Sequence, residues 1–438
     1  MAACRHPNGR SGWSNVRNTA TFNLGTRPAP DRAVTTAAPP HTAIRASFEQ
    51  LIDAMLRSRA SVSDLIFSPG RAPQIESNGE LVELPFPGLE RLTADHTKML
   101  AQMLTSTNPM AGQQIERDGS ADLSFASGQT RFRVNVFRQR GAHAIVMRVI
   151  PSKIPTFDDL GLPPQLDQIV GLRNGIVLVT GPTGSGKSST LAAIVDRMNE
   201  ARAIHVLTIE DPIEFLHTHK RATIHQRELH SDTPTFSLAL RAALRQAPKV
   251  ILVGEMRDRE TIETALEAAE TGHLVMSTLH TIDAAKTVER IVGTFPLGDQ
   301  QTIRTRLAKA VQYILSQRLL PRKDRNGRVA IVEVLKGTLR TREYIEQGEK
   351  DGRTLLDAMR DGAEDGMQHF DGEIDRLIRA GAIDIETGLS YATNPNNLRL
   401  EIADLLEEQR VAIKVKAQEP ARTATFGSMA INPADILR

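Results

Sequence analysis

The fold of this 438-residue chain is decided by one stretch, IVLVTGPTGSGKSSTLAAIV, at residues 176–195. Its first part, Ile176–Thr180, is an apolar run typical of a strand that is buried on both faces of a parallel sheet. Gly181–Ser188 follows and fits the pattern G-x-x-x-x-G-K-S/T. Leu191 and Ile194 then begin an apolar stripe with helical spacing. A strand, this loop and a helix in direct succession predict a phosphate-binding loop.

The chemistry of such a loop gives its residues separate roles. Its glycines let backbone N–H groups curl around phosphate oxygens, and the helix N-terminus adds partial positive charge. Lys187 is expected to reach the β- and γ-phosphates, and Ser188 is expected to hold Mg²⁺. We therefore predict ATP and Mg²⁺ as cofactors. The predicted nucleotide-binding residues of the loop are Gly181, Pro182, Thr183, Gly184, Ser185, Gly186, Lys187, Ser188 and Ser189.

Three further apolar runs, Val206–Ile209, Val250–Val253 and Leu274–Thr278, are predicted strands of the same sheet. Between the last two, an apolar stripe at residues 262–269 predicts a helix, which Gly272 can end. Strands that alternate with helices define a doubly wound α/β domain, in which ligands bind at the carboxyl edge of the sheet.

Two acidic clusters follow strands of this sheet. Glu255 comes directly after the strand Val250–Val253 and is assigned to Mg²⁺ or its water shell. In TIEDPIE, residues 208–214, Glu214 is the candidate that polarises the attacking water, while Glu210 and Asp211 are expected to orient it or bind metal. A surface acid at a strand end and a charged turn remain the structural alternatives.

His273 and His280 bracket the strand at residues 274–279. Their separation of seven cannot place both on one face of an extended strand, so metal chelation by the pair is not expected. We expect them at opposite ends, with His280 beside the phosphate site, where it would sense the γ-phosphate or bond to a catalytic acid. Histidines with purely structural partners are the alternative.

Phosphoryl transfer gains from a guanidinium that neutralises developing charge, often one from a neighbouring subunit. Arg241 and Arg245 are four residues apart and would share one face of a helix. Arg133 and Arg148, on predicted strands nearer the N-terminus, could reach the nucleotide if their domain folds over the site. A solvated surface position is the alternative for each arginine.

The rest of the chain is assigned by composition and periodicity. Residues 1–45, rich in arginine and proline, are predicted to be a disordered tail. A capping-box pattern at Ser47 and Gln50 predicts that the first helix begins there. Mixed helical and alternating patterns predict an α+β domain. The predicted boundaries are 46–150 for that domain, 151–165 for a proline-rich linker, 166–335 for the α/β domain, 336–409 for a helical region and 410–438 for a second tail.

Composition narrows the classes of function. Lys and Arg total 54 against 52 Asp and Glu, so the formal charge of +2 gives no reason to expect nucleic acid as a partner. The single cysteine, Cys4, excludes an intrachain disulfide and a cysteine zinc cluster. No apolar run approaches the ~20 residues of a membrane-spanning helix. The single cysteine predicts a protein of a reducing compartment.

Several motifs resemble those of the secretion ATPase superfamily, in particular its type IV pilus retraction (PilT-like) group. The loop Gly181–Ser188 resembles the Walker A box of that group. The stretch SDLIFSPGRAPQIESNGEL at 63–81 resembles the family's PAS-like N-terminal domain, and TIEDPIEF at 208–215 resembles its Asp box. ILVGEMRD at 251–258 resembles the Walker B box, and AAETGHLVMSTLHT at 268–281 resembles the His box. The tripeptide GMQ at 366–368 is similar to the family's C-terminal helical region.

The resemblance implies a RecA-like P-loop ATPase domain between a PAS-like α+β domain and a C-terminal helical region. It gives Glu214 the catalytic glutamate role, Glu255 the Walker B place, and His273 and His280 the His-box places. It also implies a catalytic part for Arg241 and Arg245, and less directly for Arg133 and Arg148. The expected assembly is a homohexamer at the cytoplasmic, inner-membrane base of a pilus machine. Its expected partners are an inner-membrane platform protein and a paralogous motor ATPase.

The function implied is ATP hydrolysis that powers pilus retraction and twitching motility. The four-cysteine zinc loop of assembly and type II secretion ATPases cannot exist here, which favours the retraction branch. The retraction group's AIRNLIR helix motif is weak, however, since the chain reads TLRTREYI at residues 338–345. An accessory retraction motor, a type II or type IV secretion ATPase, a low-turnover nucleotide-binding regulator and a nucleic-acid motor remain alternatives.

Overall fold

The computed structural model describes residues 40–407, except residues 60, 107, 152, 326 and 351. Its strands form two separate sheets, one of six strands near the N-terminus and one of seven strands in the middle of the chain. Among the described residues, no helix is long and apolar enough to cross a membrane.

The first domain folds around an antiparallel sheet in the order β3-β2-β1-β6-β5-β4. Its elements are α1 Pro40–Arg57, β1 Asp64–Phe67, β2 Gln74–Ser77, β3 Glu80–Glu83, α2 Ala94–Thr105, α3 Pro109–Asp118, β4 Ser120–Ser127, β5 Thr130–Gln139 and β6 Ala142–Ile150. Phe48, Ile52 and Met55 of α1 are buried in one core with Phe132 and Val134 of β5. The predicted mixture of helices and strands, an α+β domain, is therefore confirmed.

The first helix begins earlier than predicted. It starts at Pro40, so Ser47 lies inside the helix and is not its N-cap. Proline is tolerated in the first helical turn because its missing N–H would have no intrahelical partner there. The prediction of a tail to residue 45 is therefore wrong for residues 40–45. The remainder of that predicted tail, residues 1–39, lies outside the described residues.

The segment expected to be a linker, residues 151–165, is partly folded. β6 ends at Ile150, and a short helix, α4 Phe157–Leu160, begins after residues 151–156. A 3₁₀ helix, Pro164–Gly171, follows. Phe157, Leu162 and Leu166 are buried in the core of the second domain. Among the described residues between β6 and α4, residues 151 and 153–156 belong to no helix or strand.

The second domain is a seven-stranded sheet in the order β13-β12-β7-β11-β10-β8-β9, parallel except where β13 runs antiparallel to β12. Its elements are β7 Gly175–Thr180, α5 Lys187–Ala201, β8 His205–Glu210, β9 Thr223–Glu228, α6 Phe236–Ala243, β10 Val250–Val253, α7 Arg259–Glu270, β11 Leu274–Leu279, α8 Ala284–Gly293, α9 Leu297–Ala310, β12 Val311–Pro321 and β13 Arg328–Lys336. Apolar clusters cover both faces of the sheet. The four predicted strands are confirmed as β7, β8, β10 and β11.

This topology decides where the polar segments meet. Strands β7, β11, β10 and β8 are adjacent and parallel, so their carboxyl ends lie along one edge of the sheet. The segments that follow these strands begin at Gly181, His280, Gly254 and Asp211 respectively.

Short helices complete the described chain: α10 Leu339–Gln347, α11 Leu355–Asp361, α12 Phe370–Arg379, α13 Ile385–Tyr391 and α14 Pro395–Glu401. Phe370, Ile374 and Leu398 pack with Leu320 and Ile331 of the last two strands in a separate small core. The predicted tail at 410–438 lies outside the described residues.

Candidate nucleotide-binding site

The loop between β7 and α5 has the backbone of a phosphate cradle. Gly181, Gly184 and Gly186 have φ values of 141°, 78° and 90°, which side chains rarely permit. A Cβ atom on Gly181 would lie 2.3 Å from the carbonyl oxygen of Gln317, so this position also lacks the space for a side chain. The lining of the adjoining cavity includes Thr183, Gly184, Gly186, Lys187, Ser188 and Ser189.

Lys187 closes this loop on itself. Its Nζ donates to the carbonyl oxygens of Gly181 and Pro182, each at 3.0 Å. Burial lowers the pKa of Lys187, against the opposing effect of the Glu214 and Glu255 carboxylates. The Ser185 hydroxyl is buried and has no hydrogen-bond partner among the described residues. The loop thus offers a cation, a hydroxyl and helix N-terminal amides, which fit a phosphate group.

Gln317 of β12 supports this loop and was missed by the sequence analysis. It is buried, and its Oε1 accepts a hydrogen bond of 2.8 Å from the Thr190 hydroxyl of α5. Its backbone oxygen faces Gly181, and its side chain lines the cavity. No local motif marks Gln317, because its place depends on the pairing of β12 with β7.

Glu255 lies at the carboxyl end of β10, as predicted. Its Oε1 is 2.7 Å from Nε of Arg257, and its Oε2 is 3.7 Å from Nε2 of His280. Glu255, Ser188 and Arg257 line the same cavity. A carboxylate and a hydroxyl are ligand types that Mg²⁺ accepts, so the two residues predicted for the metal fit it chemically. Arg257 was not among the predicted site residues.

The carboxyl groups of Glu210 and Glu214, at and after the end of β8, have different environments. Glu210 accepts hydrogen bonds from the Thr208 hydroxyl at 2.6 Å and from Gln226 Nε2 at 3.2 Å, and burial raises its pKa. Glu214 is exposed and lines the cavity. Asp211 is also exposed at this cavity, and Glu210 reaches its lining, but the Glu210 carboxylate is tied to Thr208 and Gln226.

The two histidines lie at opposite ends of β11, as predicted. Nδ1 of His280 is 3.5 Å from the Thr183 hydroxyl, and its ring lines the cavity. Burial and the Lys187 charge lower the pKa of His280, which favours a neutral ring at pH 7. His273 lies 3.0 Å from the carbonyl oxygen of Ala268, so within this chain the structure does not bring it to the cavity.

The four predicted arginines have different surroundings. Arg133 of β5 lines the cavity from the first domain. Arg148 is instead bonded to Asp64 of β1, at 2.9 Å. Arg241 pairs with Glu260 of α7. Arg245 is exposed and lies beyond the end of α6, so the prediction that it shares a helix face with Arg241 is wrong. A trans role for Arg241 and Arg245 stays a prediction.

One cavity of about 1020 Å³ at the carboxyl edge of the central sheet is lined by Arg133, Lys187, Glu214, Glu255 and His280, among others. Its lining includes the phosphate loop with its lysine, the Glu214 and Glu255 carboxylates that follow two neighbouring strands, and His280, which lies between the phosphate loop and Glu255. This fold and site define a P-loop ATPase of the RecA-like class.

Comparison with known proteins gives the family. Residues 78–372 match the family described as Type II/IV secretion system protein, and the chain belongs to it. The "Type IV pilus retractation ATPase PilT" of Pseudomonas aeruginosa is 42% identical over 341 residues, which cover 78% of this chain and 97% of that protein. PilU of the same organism, a "Type IV pilus ATPase", is 35% identical, with coverage of 85% and 98%.

A solved structure agrees with these relatives. The crystal structure of the pilus retraction motor PilT with bound ADP has a TM-score of 0.70 and 39% sequence identity. The match covers 80% of this chain and 98% of that chain. The predicted fold class, which is a RecA-like ATPase domain with an N-terminal domain and a C-terminal helical region, is confirmed, as is the assignment to the ATPases.

Proposed function

We propose that this chain is a retraction motor of a type IV pilus machine, which hydrolyses ATP with Mg²⁺ as a homohexamer. The observation that carries the proposal is the meeting of Lys187, Glu214, Glu255 and His280 around one cavity. Relatives named for pilus retraction, with alignments that span nearly their whole length, support the choice of machine.

The loop residues would hold the nucleotide through their backbone N–H groups and the Lys187 ammonium. To do so, Lys187 Nζ would exchange its two carbonyl acceptors, Gly181 and Pro182, for phosphate oxygens. Mg²⁺, when bound, supplies positive charge that neutralises the transferring phosphoryl group. Ser188 would bind it directly, and Glu255 would bind it or its water shell.

The remaining residues would act on the attacking water and on the developing charge. Glu214 would accept a proton from that water, because its side chain is exposed at the cavity, whereas the Glu210 carboxylate is tied to Thr208 and Gln226. A neutral His280 can accept at one ring nitrogen and donate at the other, which suits a group that bridges Thr183 and Glu255. Arg133 would add positive charge from the first domain.

The proposed setting is the cytoplasmic base of the pilus machine at the inner membrane. There the ring would act on a platform protein of that membrane, alongside a paralogous ATPase. We further propose that Arg241 and Arg245, both exposed in the single chain, face the nucleotide of a neighbouring subunit.

The test compares Glu214→Gln with the wild type and with Glu263→Gln, an exposed glutamate of α7. We expect Glu214→Gln to lower the MgATPase kcat by at least about 100-fold, a typical contribution of general base catalysis. The Kd for a fluorescent ATP analogue should stay the same. Hydrolysis at the wild-type rate in Glu214→Gln would refute the assignment of this residue.

The choice of machine is tested in cells. The chain is expressed in a piliated bacterium whose retraction ATPase gene has been deleted, and the twitching zone is measured. Restored twitching with the wild type but not with Lys187→Ala is expected. An active ATPase that never restores twitching, with the bacterium's own retraction ATPase as the positive control, would favour another secretion machine.

A further inference from the structure

The loop that carries Glu214 is fastened by two side chains of β9. Gln226 donates from Nε2 to the carbonyl oxygen of Phe215 at 2.8 Å, and its Oε1 accepts from the backbone N–H of His217 at 2.8 Å. Glu228 accepts from the backbone N–H of Ile213 through Oε2, at 3.1 Å. Residues two apart on a strand point to the same face, so both side chains reach the same loop.

Glu228 also bonds to the first domain. The same oxygen, Oε2, accepts from Nη2 of Arg131 on β5, at 2.7 Å. The exposed fractions of the two side chains are only 18% for Arg131 and 5% for Glu228. A single carboxylate oxygen thus connects the first domain to the backbone amide one residue before Glu214.

We propose that Glu228 is a positioning residue that transmits the docking of the first domain to the Glu214 loop. The proposal rests on the function proposed above for Glu214. With Arg131 in place, the Glu228 carboxylate has a counter-charge and stays buried against Ile213. When the first domain moves away, the Glu228 carboxylate loses its counter-charge and becomes accessible to water.

The carboxylate then turns toward water and gives up the Ile213 amide. The strand itself holds, because β9 remains paired with β8 along its whole length. The change is therefore confined to one side chain and the loop that it fastens. Glu214 reaches its working position only while the domain is docked.

The direct test is amide hydrogen exchange on the full chain, which needs no turnover. Arg131→Ala should raise the exchange rate of the amides at residues 213–217 by about fivefold or more, the expected effect of losing a charge-assisted hydrogen bond. The matched control is Arg138→Ala, on the same strand, whose partner Glu116 belongs to its own domain. This control should leave the loop unchanged.

Further variants test whether the charges of Arg131 and Glu228 carry the effect. Glu228→Gln keeps an acceptor for the Ile213 amide but loses the charge, so adding Arg131→Ala to it should have little further effect. Arg131→Lys keeps the charge and should restore most of the protection. If Arg131→Ala proves unstable, the same comparison is made with Arg131→Gln.

Kinetics supply a readout that a purely structural bond would not move. Arg131→Ala should lower kcat about tenfold with KM within about twofold, since a misplaced base affects the chemical step more than binding. If the amides at residues 213–217 exchange at the wild-type rate in Arg131→Ala, the coupling is refuted. Glu228 would then only hold the loop in place. Raised exchange in a chain without any MgATPase activity would support the coupling and refute the proposed function instead.

Discussion

The imidazole of His280 lies between two parts of the site, with its Nε2 3.7 Å from the Glu255 carboxylate and its Nδ1 3.5 Å from the Thr183 hydroxyl. One ring therefore connects the end of β10 to the phosphate loop. Its pKa is lowered by burial and by Lys187, so the ring keeps its neutral form to a lower pH than a free histidine does.

This geometry predicts the acid limb of the pH–rate profile. Below the pKa of His280 both ring nitrogens become donors, and neither can accept from Thr183. We expect the histidine-dependent fall in MgATPase activity to lie at a lower pH than the ordinary histidine pKa would give. In His280→Gln, which cannot take up the proton, kcat should be lower at neutral pH and the histidine-dependent fall should vanish. An unchanged acid limb in His280→Gln would show that another group titrates.

The crowding at Gly181 predicts that an alanine substitution there is far more damaging than one at Gly293. Gly181→Ala places a methyl group against the backbone oxygen of Gln317, which cannot move without disturbing β12. We expect the free energy of unfolding of this variant to fall by about 1–3 kcal/mol, the usual cost of overpacking or of left-handed backbone strain. Most of its ATP affinity should also be lost. Gly293→Ala, at a helical glycine with open space, is the control. Equal ATP affinity in both variants, measured by titration, would contradict this explanation.

His217 predicts how stability depends on pH. Burial lowers its pKa to about 4 from 6.5, so between these values the unfolded chain binds a proton that the folded chain does not. Stability must therefore fall as pH falls, by about 2 kcal/mol between pH 7 and pH 5 from this residue. His217→Gln removes that contribution. Denaturant unfolding at the two pH values measures it, and identical pH dependence in the variant would refute it.

The exposed arginines predict a dependence on protein concentration. If Arg241 completes the site of a neighbouring subunit, the MgATPase rate per subunit should rise cooperatively as the ring assembles. Arg241→Ala should lower kcat by about 1000-fold in the assembled ring, as loss of such a guanidinium does elsewhere. Its ion-pair partner offers the control, because Glu260→Ala breaks the same pair without removing the guanidinium. A constant rate per subunit in a chain that sizes as a monomer would exclude the trans role.

The sequence predicted the elements whose signals are local. The buried strands β7, β10 and β11 are short apolar runs, and the loop between β7 and α5 has a fixed pattern of glycines around Lys187. Once these strands are parallel neighbours, the places of Glu255 and His280 follow from chain order alone.

What the sequence did not predict depends on distant pairing or on a single-residue exception. The strand β9 has the sequence TIHQRE, which contains no apolar run. It forms because it pairs with β8 and because its polar side chains bind the Glu214 loop. Gln317 and Arg131 act through contacts that join residues about 100 or more apart. Pro40 begins α1, although prolines in that region argued against a helix.

The short connection between the domains limits the distance between the end of β6 and the start of α4. Six residues, 151–156, separate β6 from α4, and Phe157 of α4 is buried in the core of the second domain. Six extended residues reach about 20 Å at most. The end of β6 therefore stays within about 20 Å of the start of α4, however the two domains are arranged.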